Sequence, residues 1–254
     1  MRRFSGQESG DDSMMDMPRG LIVSCQALEG NPFRNSEALS LMAEAAEKGG
    51  AQAIRANGPA DISAIRQKVS VPIIGLNKKK NECGRVVITP TFQSAEEVIR
   101  AGADIIAVDM TFEKDRLREN PQEIIRKIHA EYGVPVLADI STYQEALYAA
   151  QSGADGVSTT LAGYMPGNPY RERERYVPDF ALLEQLLVSP ELTIPVIAEG
   201  RFWRYEDVQR AFYMGVHAIV IGKAITNPMA ITAFFSRAAS CGGTAGRADK
   251  GEVH

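Results

Sequence analysis

The sequence predicts an α/β protein built as a single (β/α)8 barrel, and three observations support this fold. Short apolar runs rich in valine and isoleucine recur about every 25–30 residues. The longer runs do not alternate apolar with polar residues, as expected of parallel strands buried on both faces. Segments with helical periodicity lie between the runs, and the length of 254 residues matches the roughly 250 that a TIM barrel needs.

The eight apolar runs are the predicted strands. Eight alternations of strand and helix within one domain favour a closed parallel barrel. A doubly wound open sheet is the structural alternative, because it too alternates parallel strands with helices. The strands are predicted at Leu21–Cys25, Ala51–Ile54, Val71–Ile74, Asp104–Val108, Val134–Ala138, Gly156–Val157, Ile194–Ala198 and Ala218–Ile221.

The helices between them carry recognisable start and stop signals. Ser94, Asn120 and Ser141 are predicted to open helices as capping residues. The phrases AGAD, SGAD and MGVH, which begin at residues 101, 152 and 214, place a glycine where a left-handed helix end is expected. The helices are predicted at Ser36–Lys48, Pro59–Lys68, Ser94–Ala101, Pro121–Tyr132, Thr142–Gln151, Asp179–Val188, Tyr205–Tyr213 and Met229–Ala239.

The two ends of the chain differ from the body. Residues 1–19 and 242–254 are polar, rich in glycine and without periodicity, so we expect disordered tails around one catalytic domain at 20–241. The N-terminal segment lacks the apolar core of a signal peptide. No apolar run approaches the 18 residues of a membrane-spanning helix. These features predict a cytoplasmic protein.

Composition excludes several classes of function. The net charge is −4, from 28 basic and 32 acidic residues, which disfavours a nucleic-acid-binding protein. The three cysteines and three histidines are scattered along the chain. They therefore predict neither a disulfide framework nor a metal site.

Candidate site residues follow the predicted strands, because active sites of such barrels lie at the C-terminal ends of the strands. Charged groups of both signs that converge on one rim are costly unless they are used. The glycines after the last two strands suit a backbone phosphate site, which these loops often form. The candidates are Gln26, Arg55, Lys78, Asp109, Asp139, Thr159, Thr160, Glu199, Gly200, Arg201, Gly222 and Lys223.

Strand order places two of these residues opposite each other. The third and seventh strands are four apart in a ring of eight, so Lys78 and Glu199 face each other across the barrel mouth. An acid and a base on opposite faces of a carbon suit inversion of a stereocentre, since one group removes a proton and the other returns it. Lys78 then needs a lowered pKa to act as a base. Asp139 and Arg55 either support this chemistry or form a structural ion pair.

Nine segments, in order, resemble the N-acetylmannosamine-6-phosphate 2-epimerase family. The resemblance covers about residues 20–237, essentially the whole predicted barrel. The most specific are GVSTTLAGY (156–164) and PVIAEGR (195–201). The others are LIVSCQALEGNPF (21–33), AIRANG (53–58), PIIGLNKK (72–79), ITPT (88–91), GADIIAVDMT (102–111), ADIST (138–142) and VIGKAITNP (220–228).

The resemblance implies conversion of N-acetylmannosamine 6-phosphate into N-acetylglucosamine 6-phosphate in sialic acid catabolism. It implies a barrel enzyme that is usually a homodimer and needs no cofactor. By motif, the catalytic residues are expected at Lys78, Glu199 and Asp139. Substrate contacts are expected at Gln26, Arg55, Thr159, Thr160 and Arg201, and the phosphate at Gly200, Gly222 and Lys223.

One departure from the family falls at the expected phosphate site. The family commonly has arginine where this chain has Asn227, and Lys223 stands where a small residue is common. Lys223 either replaces the missing charge or points to solvent. The segment at 170–176, YRERERY, is either a solvated stretch or a flap over the site.

Two other functions fit parts of the pattern. Lys78 could form a Schiff base in an aldolase or lyase, because lysines in barrels form such adducts with carbonyl substrates. A barrel without catalytic activity could bind a sugar phosphate as a sensor, although the presence of Lys78, Asp139 and Glu199 together argues against this.

Overall fold

The eight predicted strands close into a parallel barrel, which excludes the open-sheet alternative. The computed structural model describes residues 16–81, 84–113, 117–165 and 176–242. Most of the two predicted tails, at 1–15 and 243–254, and most of the segment YRERERY therefore lie outside the described residues. The barrel strands are β1 (Gly20–Ser24), β2 (Ala53–Asn57), β3 (Ile73–Leu76), β6 (Ile105–Asp109), β7 (Val136–Asp139), β8 (Gly156–Ser158), β9 (Val196–Glu199) and β10 (Ala218–Ile221).

The ring follows chain order, and β10 closes it by pairing with β1. Inward residues such as Ile22, Ile74 and Leu137 fill the barrel, while their neighbours along each strand pack against the helices. This two-sided burial explains why the strands are apolar without alternation. At the C-terminal rim the inward positions turn polar: Asp109 pairs in register with Asp139, which pairs with Ser158.

The predicted helices form, with ends moved by up to three residues. Asn120 caps its helix as predicted, since its side chain accepts a hydrogen bond from the N–H of Gln122. The predicted caps Ser94 and Ser141 are wrong. The observed caps are Thr91 and Thr142, each of which forms a capping box with the third residue of its helix. The helices are α1 (Ser36–Lys48), α2 (Pro59–Arg66), α3 (Phe92–Arg100), α4 (Pro121–Tyr132), α5 (Tyr143–Gln151), α6 (Phe180–Val188), α7 (Tyr205–Met214), α8 (Lys223–Thr226) and α9 (Pro228–Gly242).

Glycines end helices where the repeated phrases predicted them. Gly102, Gly153 and Gly215 have φ angles of 106°, 91° and 103°. This left-handed region disfavours residues with a Cβ atom, so glycine lets the chain turn into the next strand.

Besides the short helix α8, two further elements at the rim are not predicted by the sequence. Strands β4 (Lys78–Lys80) and β5 (Val86–Ile88) form an antiparallel hairpin after β3, so the lysine triplet is a strand rather than an irregular loop. Lys79 and Lys80 are exposed on it, as expected of a solvated stretch. A single 3-10 turn (Thr159–Leu161) follows β8. Both elements bring side chains to the barrel mouth.

The floor of the barrel includes a residue expected in the N-terminal tail. Met17 is buried against the inward core residues, and its carbonyl lies 2.8 Å from Nε2 of His217. The ordered chain therefore begins before Gly20, because Met17 fills the apolar opening below the strands. No helix in the described part of the chain is long and apolar enough to span a membrane.

Candidate active site

The centre of the barrel mouth is a buried arginine between two carboxylates. The side chain of Arg55, on β2, is 1% exposed. Its Nη2 donates to Oδ2 of Asp139 at 2.5 Å, and its Nη1 lies 3.0 Å from Oε2 of Glu199. Asp139 ends β7 and Glu199 ends β9, so three strands converge on one guanidinium. Such a pair of charge-assisted contacts fixes the position of both carboxylates.

Two consecutive threonines after β8 contact these acidic residues, Thr160 through their carboxylates and Thr159 through the backbone of Glu199. Oγ1 of Thr160 lies 2.6 Å from Oδ1 of Asp139 and 3.0 Å from Oε2 of Glu199. Oγ1 of Thr159 accepts from the N–H of Glu199 at 2.9 Å and lies 3.0 Å from its carbonyl oxygen. These hydroxyls, expected to contact substrate, are engaged by protein groups.

Lys78 reaches the mouth from the first position of the β4 hairpin. Its backbone N–H donates to Oδ1 of Asn57 at 2.8 Å, and its Nζ donates to Oε1 of Gln26 at 2.7 Å. Gln26 is held in turn, because its Nε2 donates to Oγ of Ser24 at 2.9 Å. The amine is thus held by Gln26, which follows β1, and the backbone of Lys78 by Asn57, which ends β2. Lys78 itself follows β3, which lies four places from the Glu199 strand β9 in the ring of eight.

The environment moves the pKa values of Lys78 and Glu199 towards each other. Burial lowers the pKa of Lys78, and the positive charges of Arg55 and, more weakly, Lys223 add to this. Burial raises the pKa of Glu199 and the charge of Asp139 adds to it, although the charge of Arg55 opposes the rise. A lysine that is less basic than usual and a glutamate that is less acidic than usual are better matched for exchange of a proton.

The expected phosphate site lies at the ends of β9 and β10. Gly200 has a φ of 110° with open space where a Cβ would lie, and Gly222 precedes the short helix α8. Lys223 is exposed at the start of α8. Oδ1 of Asn227 accepts from the N–H of Ala230 at 3.0 Å, so the residue that departs from the family pattern caps α9.

The guanidinium of Arg201 is held by backbone carbonyls of two other segments. Its φ is 63°, and its guanidinium donates to the carbonyls of Val177 at 2.8 Å and Ala162 at 3.1 Å. A Cβ on Gly163 would lie 2.2 Å from Nη1 of Arg201. Arg201 therefore links the loop after β9 to the turn after β8 and the chain at Val177.

Asp109, whose role the sequence left open, holds a loop. Its Oδ1 accepts from the N–H and the hydroxyl of Thr111, at 3.0 and 2.6 Å. Arg118 donates to the carbonyl of Asp109 at 2.6 Å and to that of Thr111 at 2.8 Å.

Cys25 is fully buried, which raises the pKa of its thiol to about 12 and leaves it unsuited to act as a nucleophile.

The sequence assigned no role to three polar residues at the ends of strands. Ser24 holds Gln26, Asn57 holds the backbone of Lys78, and Ser158 contacts Thr160. Their place where each strand ends is the signal that marks them. Within the described residues, no group of three or more histidine, cysteine, aspartate or glutamate side chains is placed to hold a metal ion.

Fold and site together define a (β/α)8 barrel whose mouth carries a lysine with a lowered pKa and a glutamate with a raised pKa. The chain belongs to the family described as "Putative N-acetylmannosamine-6-phosphate epimerase", whose model matches residues 39–240. This match spans most of the barrel and includes every candidate catalytic residue.

Individual relatives agree with the family assignment. A protein of Caldanaerobacter subterraneus subsp. tengcongensis is 45% identical over 225 residues, covering 88% of this chain and 92% of its own. One of Clostridioides difficile is 43% identical, covering 89% and 98%. Both are named "Putative N-acetylmannosamine-6-phosphate 2-epimerase". The solved N-acetylmannosamine-6-phosphate 2-epimerase from Clostridium perfringens superposes with a TM-score of 0.82 at 38% identity, covering 92% of this chain and all of that one.

Proposed function

We propose that this protein epimerises N-acetylmannosamine 6-phosphate at C2 to N-acetylglucosamine 6-phosphate, a step of sialic acid and amino sugar catabolism. The observation that carries the proposal is the placement of Lys78 just after β3 and of Glu199 at the end of β9, four places apart in the ring, with Arg55 of β2 in contact with Glu199. Their pKa values are shifted towards each other. The names of the relatives supply the substrate.

The chemistry is exchange of the C2 proton of the ring-opened sugar. The C1 aldehyde acidifies that C–H bond, so its removal leaves an enolate. One of Lys78 and Glu199 takes the proton from one face, and the other delivers a proton to the opposite face, which inverts C2. The direction of reaction decides which group acts first. Asp139 and Arg55 hold Glu199 in place and contribute the surrounding charge.

Substrate binding is assigned to the groups around this pair. Gln26 lies next to the Lys78 amine and offers an amide towards the sugar. Arg55 lies 3.0 Å from Oε2 of Glu199, and Arg201 follows Glu199 by two residues in the loop after β9. The phosphate is expected at the backbone N–H groups near Gly200 and Gly222, with Lys223 supplying positive charge. No cofactor or metal has a place in this proposal, because proton transfer between C2 of the sugar and two side chains needs neither.

The first experiment is proton NMR of N-acetylmannosamine 6-phosphate with the enzyme in D2O, with EDTA present. We expect N-acetylglucosamine 6-phosphate with deuterium at C2, and no conversion with the Lys78→Ala variant. An enzyme that produces neither product nor C2 exchange overturns the proposal. Activity that EDTA abolishes overturns the cofactor-free mechanism alone.

A Schiff-base lyase is the second candidate, since a buried amine with a lowered pKa also suits attack on a carbonyl. Borohydride reduction in the presence of substrate separates the two functions. A covalent adduct on Lys78, found by mass spectrometry, supports the lyase. Epimerisation by proton transfer leaves the mass of the protein unchanged.

We infer a homodimer from the surface of the C-terminal helix. Residues 229–240 of α9 include no buried side chain, although Met229 and Phe235 are large and apolar. On α7, Tyr205 and Tyr213 are also exposed. Exposed large apolar side chains of this kind are typical of an interface, and a second copy of the chain would bury them symmetrically. A cytoplasmic location fits the free, buried Cys25 and an ionised sugar phosphate as substrate.

A further inference from the structure

We propose that Thr160 is a positioning residue that holds the carboxylate of Glu199 and selects the oxygen of Glu199 that transfers the proton. This role differs from the substrate contact that the family motif implies. The inference rests on the proposed epimerase function for its catalytic consequence, but the contact between the two side chains stands on geometry alone.

Thr159 prepares the position of Glu199 from the main chain. Its hydroxyl accepts from the N–H of Glu199 at 2.9 Å and donates to the carbonyl of the same residue at 3.0 Å. A hydroxyl has one proton to donate, so these two bonds use the donor of Thr159 completely. Because Thr159 is 3% exposed, the backbone from which Glu199 projects is fixed in the protein interior.

Thr160 then fixes the side chain. Its Oγ1 lies within hydrogen-bond distance of two carboxylates, 2.6 Å from Oδ1 of Asp139 and 3.0 Å from Oε2 of Glu199. The single hydroxyl proton serves only one of these carboxylates at a time. Arg55 donates to the same hydroxyl oxygen at 3.3 Å and lies 3.0 Å from Oε2 of Glu199. The geometry therefore joins the two carboxylates through one rotating hydroxyl.

This arrangement distinguishes the two oxygens of Glu199. Oε2 faces Arg55 and Thr160, whereas Oε1 has no hydrogen-bond partner within the described ranges. We therefore assign proton transfer to Oε1. When Glu199 is ionised, the Thr160 hydroxyl donates to Oε2, and when Glu199 carries a proton the hydroxyl turns to Asp139. Only the hydroxyl orientation changes, so no proton leaves Thr160.

A hydrogen bond to the ionised form favours that form, and accordingly the Thr160 hydroxyl lowers the pKa of Glu199 against the effect of burial. Loss of the hydroxyl should therefore raise the pKa of Glu199. The raised pKa disturbs the balance between Glu199 and Lys78 that proton exchange requires. The sugar itself loses no contact, so its binding should be little changed.

The test compares Thr160→Val with Thr160→Ser, which keeps the hydroxyl. The pKa of Glu199 is measured by carbon-13 NMR of its carboxyl carbon, assigned with Glu199→Gln. We expect Thr160→Val to raise this pKa by about one unit, since a hydrogen bond to a charged group is lost. We also expect kcat to fall about tenfold with KM within about twofold, and Thr160→Ser to restore both.

Thr111→Val is the matched control, because its hydroxyl donates to a buried carboxylate of Asp109 at the same rim without contacting Glu199. It should leave the Glu199 pKa unchanged, and thermal melting shows whether each variant folds. An unchanged Glu199 pKa in folded Thr160→Val overturns the inference, as does a raised KM with kcat retained. If Thr160→Val does not fold, the Glu199 pKa of Thr160→Ser must match that of the wild type, and a shift overturns the inference.

Failure of the proposed function gives a different result. A wild-type enzyme that does not exchange the C2 proton refutes the epimerase. The NMR titration needs no turnover, so it still decides whether Thr160 controls the ionisation of Glu199.

Discussion

The amine of Lys78 is fixed and weakly basic before any substrate arrives. Its Nζ is anchored on Gln26 and its pKa is lowered by burial and by Arg55. We expect Lys78→Ala to reduce kcat at least about 10²-fold, the lower end for loss of an acid–base group. Turnover is measured by NMR at saturating sugar phosphate.

Lys79 provides the matched control for Lys78. It is the next residue of the same hairpin, exposed and 3.6 Å from Glu97. Lys79→Ala should retain wild-type kcat, because its side chain lies outside the mouth. A Lys78→Ala enzyme with near-normal turnover would remove this residue from the mechanism.

The pH dependence follows from the shared proton of the acid–base pair. In both directions the productive enzyme has one proton on Lys78 and Glu199 together, so kcat/KM should be bell-shaped. The pKa of Glu199 is raised and that of Lys78 lowered. The two limbs should therefore lie closer together than ordinary values of about 4.3 and 10.4.

Lys223 should influence both binding and this profile. Its positive charge lowers the pKa of Lys78. Lys223→Ala should therefore move the alkaline limb to higher pH, and KM should rise because a phosphate anchor is lost. Lys80→Ala, which removes an exposed charge next to Glu29, is the control. A fall in kcat alone would place Lys223 in the chemistry instead.

The sequence predicts some of these residues better than others. Lys78 and Glu199 are predictable because strand order alone places them opposite each other. The contact of Thr160 with two carboxylates is not, because it depends on the 3-10 turn after β8, for which the sequence offers no periodic signal. The contacts of Arg201 are not predictable either, because they depend on a left-handed backbone that directs the guanidinium to two carbonyls.

At the scale of elements, long periodic segments are predicted well and rim elements poorly. Helices α1 and α4 have the predicted limits, because both their caps and their apolar faces are visible in the sequence. The β4–β5 hairpin is missed because three consecutive lysines indicate a solvated loop. The lysines form a strand only because they pair with β5. Ser94 is the third residue of a capping box, so its signal points three residues too late.

Packing of a strand against two helices gives a stability prediction. A Cβ on Gly75, in β3, would lie 2.5 Å from Cβ of Ala103 and 3.1 Å from Cδ1 of Ile62. Gly75→Ala should destabilise the protein by about 1–3 kcal/mol, the usual cost of overpacking. The Tm measured by circular dichroism should fall by several degrees, at about 2–4 °C per kcal/mol for a chain of this size.

Gly156 in β8 is the matched strand glycine, since the nearest atoms to its added Cβ lie at 3.4 Å. Gly156→Ala should change the Tm less than Gly75→Ala. Equal Tm values for the two variants would show that close approach of Ala103 does not require glycine at position 75.

On the scale of the whole molecule, the sequence predicts the barrel because every strand–helix unit repeats the same pattern. It does not predict how the last helix is used. Apolar residues on α9 predict burial, yet none of residues 229–240 is buried, and Phe234 packs by stacking its ring 5.0 Å from that of Trp203. The ring of Tyr176 contacts both. The next residue, Phe235, is 64% exposed, so one side of α9 packs on the site loops and the other faces outward.

This outward face makes the proposed dimer testable. In light scattering coupled to size exclusion, the wild type should have twice the 27.7 kDa chain mass. Phe235→Glu should have the mass of one chain, because a charge buried at an apolar interface is strongly unfavourable. Val188→Glu on α6, where Val188 is 73% exposed, should remain a dimer.

A monomeric wild type refutes the dimer, whereas a dimeric Phe235→Glu places the interface elsewhere. Since Phe234 joins α9 to the loop after Glu199, the monomeric variant should also turn over more slowly.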